Sequence, residues 1–231
     1  MIFDGHSDLL YDVTRRRLRG ETYVLERHHL DRLRRGGVEG LVLSLWTSTA
    51  NGETFWEETP WADPADAAGR TGQMLACARA ELAECGAVRL VRTAAQAEVA
   101  RAQGLLYAFL GVEGMAAIGE DPAGVDRYAD AGARMGMLTW NEENQLAAGA
   151  GASPGQGLTD LGCQAVRRME QRGMLVDVSH LSDGSFADVI RLAHGPVIAS
   201  HSNCRALCDV RRNLTDDQLR AIRDTGGVVG V

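Results

Sequence analysis

Lysine is missing from this chain; all 24 basic side chains are arginine, set against 31 acidic ones. In a sequence so rich in alanine and glycine, that uniformity reads as codon usage and carries no functional message. Clustered positive charge is also missing. The net charge of −7 argues against nucleic acid as a partner, because binding it requires a basic surface. No apolar stretch approaches the ~20 residues needed to cross a bilayer, and the opening Met1-Ile2-Phe3-Asp4-Gly5-His6 lacks the basic start of a secretory leader. The five cysteines are odd in number and fit no zinc-finger or redox spacing. These absences predict a reduced, cytoplasmic protein with no membrane partner.

What is present is a repeating alternation. Short apolar runs occupy Ile2–Asp8, Val38–Trp46, Leu105–Val112, Gly132–Thr139, Met174–Ser179, Pro196–Ser200 and Gly226–Val231. Several are hydrophobic almost throughout, as strands buried on both faces of a parallel sheet are. Amphipathic stretches separate most of them, with helices predicted over Asp63–Cys85, Asp121–Gly132, Thr159–Gly173, Ser182–Ala193 and Thr215–Thr225. Strand–helix alternation predicts βαβ units and a (β/α)8 TIM-type barrel of the metal-dependent hydrolase kind. Residues 1–231 read as one such domain. Only seven strands are countable, and a closed barrel usually takes roughly 250 residues, so the eighth strand is expected to be absent from this chain. The segment Thr47–Trp61, with three aromatics, is a loop after the second strand; it either lines a cleft or packs on itself.

The chemistry-bearing residues gather at predicted strand ends. His6 and Asp8 are two apart and point the same way on an extended chain. Alone, His-x-Asp is a weak signal. Glu113 sits between glycines after the third apolar run, at the edge where barrel active sites lie. His180 and His201 close consecutive runs, each as Ser-His. Singly, either would pass for a hydrogen-bonded core or cap histidine. As a pair on adjacent strands ~4.8 Å apart, they point to a shared ion. Three histidines and two carboxylates without thiolate suit zinc, and five ligands suit two ions sharing a carboxylate about 3.5–4 Å apart better than one. His28 and His29, among Arg27, Arg32, Arg34 and Arg35, read as solvated surface. Arg211 and Arg212 do too, when read by themselves.

Six segments in order resemble the membrane (renal) dipeptidase family: Asp-Gly-His-Ser-Asp-Leu from residue 4, Gly-Val-Glu-Gly around Glu113, Gly-Leu-Thr-Asp-Leu-Gly, Gly-Met-Leu-Val-Asp-Val-Ser-His ending at His180, Pro-Val-Ile-Ala-Ser-His-Ser and Arg-Arg-Asn-Leu-Thr-Asp. The resemblance implies a zinc dipeptidase in which a hydroxide held between two ions attacks a peptide bond. His6 and Asp8 would ligate one zinc, His180 and His201 the other, with Glu113 as the bridge. Arg212 would hold the carboxylate of a small dipeptide substrate, and Asn141 and Trp140 would stand beside it. Trp140 departs from the family, which has a histidine there that stabilises the intermediate; an indole N–H has a different reach and cannot become cationic. This predicts altered specificity, slower turnover or a neighbour such as Asn144 taking over, unless Trp140 simply packs beneath the substrate loop. The family's proton-shuttling aspartate, on the eighth strand, has no counterpart here. Two alternatives stay open: a metallohydrolase acting on another small amide, lactone or ester, and a catalytically impaired metal-binding relative. Barrels often form homodimers, though no segment marks an interface for one.

Overall fold

The structure, a computed structural model, describes residues 2–46 and 67–231. Its frame is a parallel sheet of seven strands: β1 (Ile2–Ser7), β2 (Val38–Trp46), β3 (Val88–Leu90), β4 (Leu106–Glu113), β5 (Ala133–Met137), β6 (Leu175–Asp177) and β7 (Val197–Ile198). They run in the order β1-β2-β4-β5-β6-β7, while β3 pairs with the beginning of β4. Around the sheet lie α1 (Leu9–Leu18), α2 (Leu30–Arg35), α3 (Ala67–Glu84), α4 (Ala94–Ala102), α5 (Gly124–Ala131), α6 (Asp160–Gln171), α7 (Asp183–Leu192) and α8 (Asp216–Asp224).

Alternation along each strand sorts the side chains into two layers. Leu41, Leu43 and Leu45 of β2, with Leu106, Ala108, Leu110 and Val112 of β4, join the helices in the main core. Val42, Phe109, Met135 and Ile198 fill the concave side of the curl. Glu113 falls in the same alternate set as Phe109, and it pairs in register with Trp46. Both end their strands at the carboxyl edge.

The curl brings the ends of β1 and β7 close together. A Cβ on Gly5 would lie 2.8 Å from the carbonyl oxygen of Ser200, so only glycine permits the approach. Next to it, the β1–β2 register slips between Asp4 and Ser7, a bulge that re-aims His6.

Helix boundaries follow chemistry visible in the sequence. Thr159, Ser182 and Thr215 each cap a helix, accepting from the N–H of Gly162, Ser185 and Gln218 respectively. The predicted helix over Asp63–Cys85 is Ala67–Glu84 among the described residues; its first four residues and the loop Thr47–Trp61 lie outside them. Three readings are corrected. Short β3 and helices α1 and α4 were not anticipated. Gly226–Val231 is no regular strand, although it runs beside β7 through a parallel bridge of Val229 to Ala199 and a Gly230 N–H to Ala199 bond of 2.8 Å. His28 and His29 are not merely solvated: they close a π-helical turn (Leu25–His29), where His29 pairs with Asp12 at 2.9 Å and His28 with Glu21 at 3.1 Å.

Candidate metal centre

Five side chains meet at the carboxyl edge of the sheet. His6, from the bulged end of β1, places Nε2 3.1 Å from Oε2 of Glu113 and 3.3 Å from Oδ1 of Asp8. His180, beyond β6, puts its Nε2 2.9 Å from the other Glu113 oxygen and 2.9 Å from Nε2 of His201. His201, beyond β7, lies 3.7 Å from that oxygen and stacks on the His6 ring with centroids 3.9 Å apart. Donor atoms of His6, Glu113 and His201 all fall within 4.8 Å of one another. Glu113 therefore has His6 on one oxygen and His180 and His201 on the other.

The outer nitrogens are tied down. Nδ1 of His180 lies 2.8 Å from Oδ1 of Asn141, a contact that orients the ring with Nε2 toward the cluster. His201 Nδ1 sits 2.8 Å from the Ser200 hydroxyl. His180 also holds φ at +71°, a left-handed conformation that costs a non-glycine residue about 1–3 kcal/mol and tends to mark functional sites.

Electrostatics sharpen the picture. Burial is the largest influence on Glu113 and pushes its pKa up, yet hydrogen bonds from His180 and His6 prevail and hold it near about 2. Burial draws His6 down, but Asp8 and Glu113 outweigh it and lift the imidazole to about 10. Burial lowers His180, and burial with the charges of His6 and Arg212 lowers His201 to about 2. Both are neutral, as metal-ligating imidazoles must be.

This donor set fits divalent cations. Two neutral imidazole nitrogens 2.9 Å apart turn toward one carboxylate oxygen, a convergence that a cation would relieve. On the other side, two carboxylates hold a positive charge on His6 where an ion would supply it. Nitrogen and oxygen donors without sulfur suit zinc.

The five residues open onto a cavity of about 590 Å³ that Tyr11, Trp46, Trp140, Ser202, Asn203, Arg212 and Asn213 also line. Trp46 meets Trp140 edge-on at 5.8 Å and Tyr11 at 6.1 Å, forming an aromatic wall. Arg212 is half-buried, and the partial loss of water lowers its pKa. It donates to the Ser202 hydroxyl and the His201 carbonyl, both at 2.7 Å, and no carboxylate among the described residues lies within ion-pairing distance of it. Asn141 does not line the cavity; it stands behind His180, and Asn144 donates to the Leu138 carbonyl at 2.8 Å. Tyr11, Trp46, Ser202, Asn203 and Asn213 went unnoticed in the sequence. Trp46 alone carried a signal, as the last residue of an apolar run.

A curled parallel sheet with imidazoles and carboxylates at its carboxyl edge defines the class of metal-dependent hydrolase folds. Within that class the chain belongs to the membrane dipeptidase family (peptidase family M19), whose model matches residues 1–231. It is similar to an uncharacterized protein in the pqqA 5′ region of Klebsiella pneumoniae, 38% identical over 152 residues, which are 63% of this chain and 56% of that one. Among solved structures it resembles the dipeptidase AC, a metallopeptidase of the same family (TM-score 0.85, 27% identity, 99% of this chain and 71% of that one). It also resembles a Rhodobacter sphaeroides metallopeptidase bound to a phosphinate mimic of the dipeptide L-Ala-D-Ala (TM-score 0.83, 27% identity, 99% and 72%). The chain spans about half the length of the curated relatives it matches. No helix among the described residues is long and apolar enough to cross a membrane.

Proposed function

We propose that this chain carries the binuclear zinc centre of a dipeptidase, with His6 and Asp8 holding one ion, His180 and His201 the other, and Glu113 bridging them. The observation that carries the reading is the meeting of three histidines, from three different strand ends, on the two oxygens of one buried carboxylate. When bound, such an ion pair supplies Lewis acidity and lowers the pKa of water toward neutrality.

The chain's own residues bind and orient. Arg212 has five N–H donors, of which two are engaged by Ser202 and His201. The remainder suit the free carboxylate of a dipeptide, and burial strengthens that attraction. Asn141 fixes the His180 ring so that Nε2 faces the cluster. Tyr11, Trp46 and Trp140 give the cavity an apolar wall that excludes water beside the scissile bond. Its volume suits a small ligand, and the dipeptide mimic held by the Rhodobacter sphaeroides relative supports a substrate of that size.

The test is a substrate panel with the zinc-loaded protein: dipeptides, the same dipeptides amidated at their C-terminus, N-acyl amino acids and lactones. Cleavage of free dipeptides in strong preference to the amides is expected. Lactone cleavage without dipeptide cleavage would move the site to another ester or amide substrate, the alternative that Trp140 keeps open. Turnover of none would contradict the reading.

A further inference from the structure

Neither His180 nor His201 is held by the sheet itself. The β6–β7 ladder ends at the Asp177–Ile198 pair, and each histidine lies three residues beyond its strand. His180 additionally sits at φ +71°, a conformation that persists only when its surroundings over-determine it. Something must continue the sheet's work past its last rung.

The side chain placed to do so is Asp177. It is fully buried, and its Oδ1 accepts from the backbone N–H of Ser179 at 3.0 Å and of Ser200 at 3.1 Å. Those two residues immediately precede His180 and His201. One carboxylate oxygen thus ties both ligand-bearing turns together where backbone pairing has stopped. The tie extends outward: the His201 N–H donates to the Ser179 hydroxyl at 3.3 Å, and Arg212 grips the His201 carbonyl at 2.7 Å. The second oxygen, Oδ2, is buried without a hydrogen-bond partner among the described residues. A lone buried carboxylate oxygen is costly, and an apolar side chain would fill the concave side of the sheet more cheaply. Its presence is explained by the two N–H groups that only an acceptor of this length reaches together.

We infer that Asp177 is a positioning residue for the metal centre, setting the separation of the His180 and His201 imidazoles through the Ser179 and Ser200 N–H groups. The inference rests on the metal-site reading above and deepens it. What matters is the acceptor at Oδ1: Oδ2 makes no hydrogen bond among the described residues, and the carboxylate acts on Arg212 only through its charge. The conservative variant Asp177→Asn keeps that acceptor and is predicted to rescue; Asp177→Leu has similar bulk and no acceptor.

The experiment is zinc titration against a chromophoric chelator, with the absorption spectrum of the cobalt-loaded protein as a second readout and thermal melting of each metal-free variant alongside. Removing a supporting partner of a ligand typically weakens metal binding ~10–100-fold. Wild type is expected to bind two zinc ions tightly. Asp177→Leu should weaken one of them by about that factor and change the cobalt spectrum, leaving the ion at His6 and Asp8 within roughly threefold. Asp177→Asn should match wild type within the same roughly threefold margin. If the Leu variant fails to fold, Asp177→Ala is judged by the same criterion. Two tight ions in both wild type and the Leu or Ala variant would overturn the inference alone. So would an Asn variant as weakened as the Leu one, because charge and not the acceptor would then matter. A wild type that binds no zinc would overturn the metal-site reading and this inference with it.

Discussion

Replacing Arg212 with methionine removes a half-buried guanidinium, which a bound substrate would cover, while keeping much of its stem. In the dipeptidase reading, the donors left over after Ser202 and His201 hold the substrate carboxylate. Truncating one partner of a buried, hydrogen-bonded charge pair costs about 2–5 kcal/mol, and each 1.4 kcal/mol is about tenfold. Arg212→Met should therefore lower kcat/KM for a free dipeptide by roughly 30- to 4,000-fold. The contact is remote from the breaking bond and equal in ground and transition states, so the loss should fall chiefly on KM. The same substitution also frees the His201 carbonyl, which would slow every substrate. Comparing each dipeptide with its C-terminal amide separates the two effects. Wild type should prefer the free acid by a factor in the range just given, whereas the variant should treat acid and amide alike. A variant that keeps the wild-type preference would refute the assignment of Arg212 to the carboxylate, whatever its absolute rate.

Three further outcomes test the frame that holds the site. Met169 of α6 is fully buried in the main core, and Met169→Ala should cost about 2–5 kcal/mol, read as a melting point lower by ~4–20 °C. Two glycine substitutions should part in sign. A Cβ at Gly162 would lie 1.9 Å from the Leu146 carbonyl oxygen, whereas one at Gly72 meets open space within α3. Denaturant unfolding should show Gly162→Ala destabilised by about 1–3 kcal/mol and Gly72→Ala stabilised by roughly 0.5–1. Finally, hydrogen bonding from Arg17 holds the Glu84 carboxyl down at about 2, from an ordinary value of 4.5. Because the folded value is depressed, its contribution is present above pH 4.5 and is lost as pH falls toward 2. Unfolding followed across that window should show a shallower pH dependence for Glu84→Gln than for wild type; identical slopes would count against the Arg17 pairing.

The parts of this molecule that could be read from the sequence are those governed by local pattern. Continuous apolar runs marked β2 and β4, and the side-chain caps Thr159, Ser182 and Thr215 marked the starts of α6, α7 and α8. Glu113, His180 and His201 were conspicuous because they close such runs. Other features depend on register and curl. Strand β3 is only three residues long and owes its place to the first half of β4. The helix α1 follows one residue after β1, where an arginine run hid its apolar stripe of Leu10 and Val13. Tyr11, Trp46 and Trp140 become one wall only once α1, β2 and the segment after β5 are brought together. Asn141 reads as a residue beside the substrate, and its contact with a histidine 39 positions away appears only in the folded chain. Asp177 reads as one polar residue in an apolar strand until the β6–β7 register sets it beneath the turns that carry His180 and His201.

Elemental analysis of the purified protein after zinc loading and exhaustive dialysis, on wild type and His180→Ala, tests the central claim most directly. About two zinc ions per wild-type chain, with a clear loss in the variant, is the predicted result. A wild-type chain that retains no zinc, or a variant that retains as much as wild type, would contradict the binuclear centre proposed around Glu113.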